Sequence, residues 1–444
     1  MASITEALGR VKGDPARILK PEHIKAACIR AGHRWRERSL GPVQTVHAMA
    51  EQALHGNTPI GEVVRLHHGS FTGPAFCRAR KRLPLEVVLS LFHEQHRWVK
   101  EKIIGSCGAS ALWRGHRTWL MDGASFSMPD TPGLQEYFGQ SKRQRPGCGF
   151  PVCSMLVRFD WHTALLLDFI PAPLSTGEGG LAALTHATMQ AGDIVVADSN
   201  FGTFGQVALL RGRDVHTVCQ VHAGRAMSFG AWADRPGAQL VKRVGKNDQI
   251  VRWFKPKECP PWMAPAMWAQ LPESILVREV RRSIHDPGGR RREVTLVTTL
   301  LDEKTYPAAA LVALYARRWR IEDWIRTLKH TLKLDVARCK SVHGVLKELA
   351  VIALVYNMVR MVMLEAARRQ KVAPDRISFI DALRWWRWAG PDEPVPKLRV
   401  NPLRPGRHEP RVQKRRPKAY PMMIEPRAVL KARLLADGKR RRAG

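Results

Sequence analysis

The stretch Asp193-Ile194-Val195-Val196-Ala197-Asp198 sets the tightest limit on how this chain can fold. Its apolar run is too short for a helix and reads as a buried strand ending on a carboxylate. Trp119-Leu120-Met121, a shorter run, ends the same way on Asp122. Helical stretches, about Gly179 to Gln190 and Phe204 to Arg211, flank the longer run, so the chain reads as α/β. In open α/β sheets the carboxyl ends of adjacent parallel strands gather functional groups.

Other segments fit the same class. Val152 to Phe159 and Ala164 to Ile170 are strand-like and meet at Asp160-Trp161-His162-Thr163, a predicted hairpin. Val215 to Val221 is a further strand. Residues 222 to about 296 mix Gly, Pro and Trp with strand-like runs at Ile250 to Phe254, Ile275 to Val280 and Val294 to Leu300. A long helix is expected from about Pro307 to Leu332, with proline in its first turn, and another over Val345 to Arg369. Residues before about 105 have helical spacing, as in Val43 to Leu54 and Leu85 to Phe92.

Charge narrows the partners. With 72 Lys and Arg against 39 Asp and Glu, the formal net charge is +33. Such a surplus opposes compaction by self-repulsion and points to a polyanion. Nucleic acid fits, because each neutralised phosphate releases counterions. A membrane partner is not expected: the longest apolar stretch, Val351 to Ala367, is interrupted by Asn357, Arg360 and Glu365. The amino terminus has no apolar core of a secretion signal, and the eight cysteines form no CxxC pair. Two segments concentrate the basic charge. Arg78, Arg80, Lys81 and Arg82 sit in a short helical segment, which reads either as the second helix of a helix-turn-helix or as the solvated face of a bundle. The last 44 residues carry 14 basic and 3 acidic side chains, including Lys414-Arg415-Arg416-Pro417-Lys418.

Asp122, Asp198 and a helical Glu322 are far apart in sequence and of the type that holds hard divalent cations. Two such ions about 4 Å apart can activate an attacking oxygen and stabilise a leaving one in phosphoryl transfer. The pattern alone does not single these acids out, since Asp160, Asp168, Asp193 and Asp302 suit strand ends as turn or cap residues. The helix around Glu322 adds detail. Tyr315, Arg318, Glu322 and Lys329 fall within about 60° of one another on an ideal helix. That face is either a carboxylate flanked by two phosphate-binding cations and a phenol, or a solvated face with an Arg318–Glu322 pair.

The spacing Tyr315-x2-Arg318-x3-Glu322-x6-Lys329 resembles the YREK signature of IS4-family insertion-sequence transposases. So does the surrounding run YARRWRIEDWIRTLKHTLKL. Met121-Asp122-Gly123 with Ser127-Met128-Pro129-Asp130-Thr131-Pro132 resembles the segment of the first catalytic aspartate, and Gly192 to Asp198 that of the second. Pro146 to Pro151 and the tail from Arg404-Pro405-Gly406-Arg407 are also similar to the family. One departure is Ser199 in place of a frequent arginine, with Phe201 keeping the following aromatic.

The resemblance implies an α/β chain with an RNase H-like catalytic core interrupted by a β-rich insertion, a helical amino-terminal DNA-binding region and a basic carboxyl-terminal tail. The expected divisions are 1–105 (helical, DNA-binding), 106–221 (first part of the core), 222–296 (insertion), 297–375 (second part of the core) and 376–444 (basic). It implies that Asp122, Asp198 and Glu322 bind two Mg²⁺ ions, for which Mn²⁺ substitutes. Tyr315, Arg318 and Lys329 are expected on DNA near the scissile phosphate. The expected partners are double-stranded DNA, as terminal inverted repeats and target, and a second copy in a synaptic homodimer. The expected location is the prokaryotic cytoplasm, on the nucleoid. Rival expectations are a nuclease that does not join strands and an inactive DNA-binding relative. Trp253, Trp262 and Trp268 leave a hairpin route open.

Overall fold

The computed structural model describes residues 19–36, 38–98, 101, 112–222, 229, 236–285, 291–388, 395–403 and 423–443. Both basic runs of the tail, Arg404 to Arg407 and Lys414 to Lys418, lie outside the described residues. The helices α1 (Pro21–Arg30), α2 (Pro42–Leu54), α3 (Ile60–Leu66), α4 (Gly73–Arg82) and α5 (Leu85–Trp98) come first. Then follow β1 (Thr118–Ser127), α6 (Pro132–Phe138), β2 (Val152–Asp160), β3 (Leu166–Pro173), α7 (Glu178–Thr185), β4 (Ile194–Ala197), α8 (Phe204–Arg211) and β5 (His216–Gln220). Next are β6 (Ala238–Gly245), β7 (Asp248–Phe254), α9 (Pro265–Gln270), β8 (Ser274–His285) and β9 (Arg291–Thr298). The remaining helices are α10 (Ala308–Ala316), α11 (Trp319–Arg326), α12 (Val342–Gln370), α13 (Phe379–Trp388) and α14 (Arg427–Ala443).

The described strands form one mixed sheet in the order β3-β2-β1-β4-β5-β9-β8-β7-β6. β1, β2 and β3 meander antiparallel, whereas β4 lies parallel to β1, with Leu120 opposite Val196. β5 runs parallel to β4. All four residues of β4 are buried, as a parallel strand covered on both faces requires. Continuing the Leu120–Val196 register by two residues brings Asp122 level with Asp198. The strands after residue 222 extend this sheet: β9 pairs antiparallel with β5, and β8, β7 and β6 follow outward.

Helix α12 supplies much of the core, packing against α2, α5, α13 and β3. By length and composition it could cross a membrane, but 89% of its most apolar window is buried within the protein. Its polar interruptions have structural partners. Asn357 takes the amide of Leu166 at 2.8 Å and donates to the carbonyl of Leu166 at 2.8 Å. Arg360 donates to the carbonyl of Thr163 at 2.9 Å, and Tyr356 to that of Ala164 at 3.0 Å. These residues tie down the β2–β3 turn, whose backbone would otherwise be buried without partners.

The long helix expected from Pro307 to Leu332 is broken. Between α10 and α11 the amides of Arg317, Arg318, Arg320 and Ile321 each bond three residues back, a local tightening at the Tyr315–Arg318 step. After α11 the chain widens into a π-helical turn over Thr327–Thr331. The four signature residues therefore do not share one regular helix face.

Candidate active site

The strand-end acids separate by what already holds them. Asp160 is buried and accepts the Thr163 amide at 2.6 Å and the Thr163 hydroxyl at 2.6 Å, closing the β2–β3 turn. Asp168 pairs with Arg158. Asp193 receives Arg117 at 2.7 and 2.9 Å and caps the Gln190 amide at 2.9 Å. Asp302 organises its own turn through Lys304 and Thr305. Each of these has a structural task, which leaves Asp122 and Asp198 as the neighbouring pair: Asp198 directly follows β4, whereas Asp122 lies inside β1, which runs on to Ser127 instead of ending on the aspartate as expected.

Asp122 is mostly buried, and one oxygen accepts the Gly123 amide at 2.8 Å. The other receives Arg318 Nη1 at 3.0 Å. Burial pushes its carboxyl up to about 6; Arg318 opposes that rise, while Asp198 and Glu178 add to it. Asp198 caps the turn Ser199–Phe201 by accepting the Asn200 amide at 2.9 Å. Phe201 is buried beneath that turn.

Arg318 joins the strand acids to the helix. Its Nη2 lies 3.7 Å from Glu322 Oε1, and its side chain is 10% exposed against 47% for Glu322. Burial works against the Arg318 charge, but Tyr315, Asp122 and Asp198 outweigh it and hold the guanidinium above its ordinary range. The Nε atom of Arg318 is buried without a hydrogen-bond partner. Tyr315 is fully buried, lies 5.8 Å from the Arg318 guanidinium and donates its hydroxyl to Gln220 Oε1 at 3.1 Å. Lys329 is half-buried on the π-helical turn.

Two neighbouring carboxylates suit a hard divalent cation, which would offset the part of the Asp122 rise that Asp198 adds to burial. Among the described residues no three His, Cys, Asp or Glu side chains already converge as a metal cage. Glu322 meets the pair through Arg318.

Sequence reading missed Glu178, Asn200 and Gln220. Glu178 Oε2 accepts Asn200 Nδ2 at 3.0 Å. Asn200, two residues after Asp198, was within local reach, whereas Glu178 and Gln220 join the site through chain segments distant in sequence. On α4, Arg78, Lys81 and Arg82 are exposed, whereas Arg80 turns inward to Gln52 at 3.3 Å and Cys339 at 2.6 Å. A cleft of about 440 Å³ beside α4 is lined by Arg34, Arg36, Arg38, Arg82, His33 and Trp35, among others. The alternation His33-Arg34-Trp35-Arg36 was its available sequence signal. Of the three tryptophans, Trp253 and Trp268 are buried, while Trp262 is half-buried against Gly179.

Residues 113–358 match the transposase DDE domain model, which spans more than half of the chain. The chain belongs to the DDE transposase family. It is 25% identical over 438 residues to the transposase InsG for insertion sequence element IS4 of Escherichia coli (strain K12), covering 91% of this chain and 92% of that protein. It is 29% identical over 205 residues to the putative transposase InsZ of the same organism, covering 42% of this chain and 63% of that protein. Among solved structures it is similar to the piggyBac transposase in a synaptic complex with hairpin DNA, at a TM-score of 0.45 and 8% identity, covering 85% of this chain and 80% of that one. At that score the likeness adds no weight to the family match. The expected IS4-type DDE transposase is borne out by the family match and the InsG likeness together. This transposase is therefore a DNA-acting enzyme of a family that uses divalent metal ions.

Proposed function

We propose that this transposase cleaves DNA at the ends of its own element and joins those ends to target DNA, using Asp122, Asp198 and Glu322 as the metal-binding acids of an RNase H-like core. The observation that carries this reading is that Asp122 and Asp198 each follow, by two residues, the paired Leu120 and Val196 of parallel strands, with Arg318 bridging Asp122 to Glu322. Bound there, two Mg²⁺ ions would activate the attacking oxygen and stabilise the leaving one.

The protein's own residues position and neutralise. Arg318 has a buried unpartnered Nε and contacts to two acids, so it is free to trade a carboxylate for a DNA phosphate when cations satisfy the acids. Tyr315 fixes the Arg318 plane from below and so acts on DNA through it. Lys329, half-buried on the π-helical turn beyond α11, supplies a second cation for the flanking phosphates. The exposed Arg78, Lys81 and Arg82, with the arginine-lined cleft beside them, suit contacts to the terminal inverted repeats. Two element ends must meet, which favours a homodimer in the synaptic complex, with the cytoplasm and nucleoid as the place of action.

The test is a labelled duplex carrying the element's own ends, incubated with Mg²⁺ or EDTA and with wild type or Asp122→Asn. Metal-dependent nicks at the element boundary and joined products are expected from wild type only, with Asp122→Asn still retaining the duplex. Nicks without joined products would leave a nuclease. Retention without any nick by the folded wild type would leave a DNA-binding relative.

A further inference from the structure

Glu178 opens α7 directly after Gly177 and before Gly179 and Gly180. A glutamate in a first helical turn is commonly placed there to face the helix amides. Here the carboxylate looks elsewhere. The cap of α7 has no side-chain hydrogen bond, and the two Glu178 oxygens lie against residues beside the two aspartates. Oε2 accepts Asn200 Nδ2 at 3.0 Å, and the Asn200 amide donates to Asp198 Oδ1 at 2.9 Å. Oε1 lies against Gly123, where any Cβ would overlap it, and the Gly123 amide donates to Asp122 Oδ1 at 2.8 Å. Glu178 is thus one intervening residue from each aspartate. No ion pair to Glu178 is found among the described residues, so its charge has no basic partner there. Holding a third carboxylate beside two others costs free energy unless a cation joins them.

We propose that Glu178 is a positioning residue of the phosphoryl-transfer site. Its negative charge, fixed between Gly123 and Asn200, raises the affinity of Asp122 and Asp198 for divalent cations. This inference rests on the reading of Asp122 and Asp198 as metal-binding acids. Glycine at position 123 belongs to the same arrangement, since only a residue without Cβ lets the Glu178 carboxylate approach the peptide that follows Asp122.

The experiment is Mn²⁺ titration of the full chain, followed by electron paramagnetic resonance, for wild type, Glu178→Gln, Glu178→Ala and Asp122→Asn. Thermal melting in EDTA checks that each is folded. Glutamine keeps the shape and can still accept from Asn200, so it removes charge alone. The expected result is Mn²⁺ affinity at least about fivefold weaker in Glu178→Gln, with a similar or larger loss in Glu178→Ala and the largest in Asp122→Asn. Wild-type affinity in Glu178→Gln, beside a loss in Asp122→Asn, overturns the role of Glu178 and leaves the site standing. A loss in Glu178→Ala that Glu178→Gln does not share assigns Glu178 to shape alone and also overturns it. Wild-type affinity in Asp122→Asn removes the metal-binding reading itself, and this inference with it.

Discussion

Two of the arginine–aspartate bridges anchored on the sheet differ in how completely they are closed. On the outer arm, Arg278 of β8 reaches Asp248 of β7 with two bonds of 2.7 and 2.5 Å and adds a third to the carbonyl of Tyr306 at 2.6 Å. Arg278 is 1% exposed, and its bonds use both carboxylate oxygens. At the other bridge Arg318 divides itself between Asp122 at 3.0 Å and Glu322 at 3.7 Å, and its Nε has no partner. The first bridge is saturated and can only be broken. The second is underused and able to exchange partners. A buried pair of the first kind secures one arrangement of strands, whereas the second keeps charge ready for a substrate that brings phosphates and cations.

The largest expected effect lies at the open bridge and concerns rate. Asp122→Asn should lower end cleavage by at least about a thousandfold, read from the labelled-duplex assay, while the variant stays folded. An active Asp122→Asn would end the comparison, because the open bridge would then have no chemical use. Next comes stability. Arg278→Met leaves Asp248 buried and unpaired and should cost about 3–5 kcal/mol in chemical denaturation. Arg318→Met should cost about 1 kcal/mol or less, since Asp122 can take up a proton and Glu322 stays solvated. Equal losses would show that the two bridges do the same work.

Proton linkage gives an intermediate effect. Asp122 has a carboxyl raised by burial to about 6 in the folded chain from an ordinary value of 3.8. A raised acid favours the folded state while protonated, so its contribution is complete below 3.8 and is lost as pH rises through about 6. His186, buried and lowered to about 4 from 6.5, works in the opposite sense: its contribution is present above 6.5 and lost as pH falls toward 4. The difference between wild type and Asp122→Asn cancels the histidine. In EDTA, Asp122→Asn should gain on the order of 1–3 kcal/mol relative to wild type between pH 4 and 7. A flat difference would mean that the open bridge carries no electrostatic strain. The smallest effect belongs to Asp323, next in sequence to Glu322. It pairs with Arg326 at 2.7 Å, with both side chains about two-thirds exposed. Asp323→Asn should change stability by less than about 0.5 kcal/mol and leave cleavage untouched; a loss of cleavage would put Asp323 inside the site.

Legibility followed the range of the interactions. The run ending in Asp198, the β2–β3 hairpin, α8 and α12 were readable because apolar periodicity and turn residues act within a few positions. The YREK spacing carried the family because those residues lie within four helical turns. Less legible was the path of that segment. It tightens at Arg318 and widens after Arg326, and its pieces pack on β1 and on α12, relations that local spacing does not contain. The polar interruptions of α12 argued against a membrane span from sequence, yet their actual partners, the carbonyls of the β2–β3 turn, lie nearly 200 residues away.

By itself, then, the sequence determined the class of fold, the basic character of the chain and the acids eligible for chemistry, because propensity, charge and spacing are local properties. Only the tertiary structure decided which acids are spent on structure. Asp160, Asp168 and Asp193 looked as eligible as Asp122 and Asp198 until their partners Thr163, Arg158 and Arg117 were in place. It also decided that Glu178 stands between the two remaining aspartates. The physical reason is that a carboxylate's role is set by what surrounds its charge, and those surroundings are assembled by strand register and packing among residues far apart in the chain.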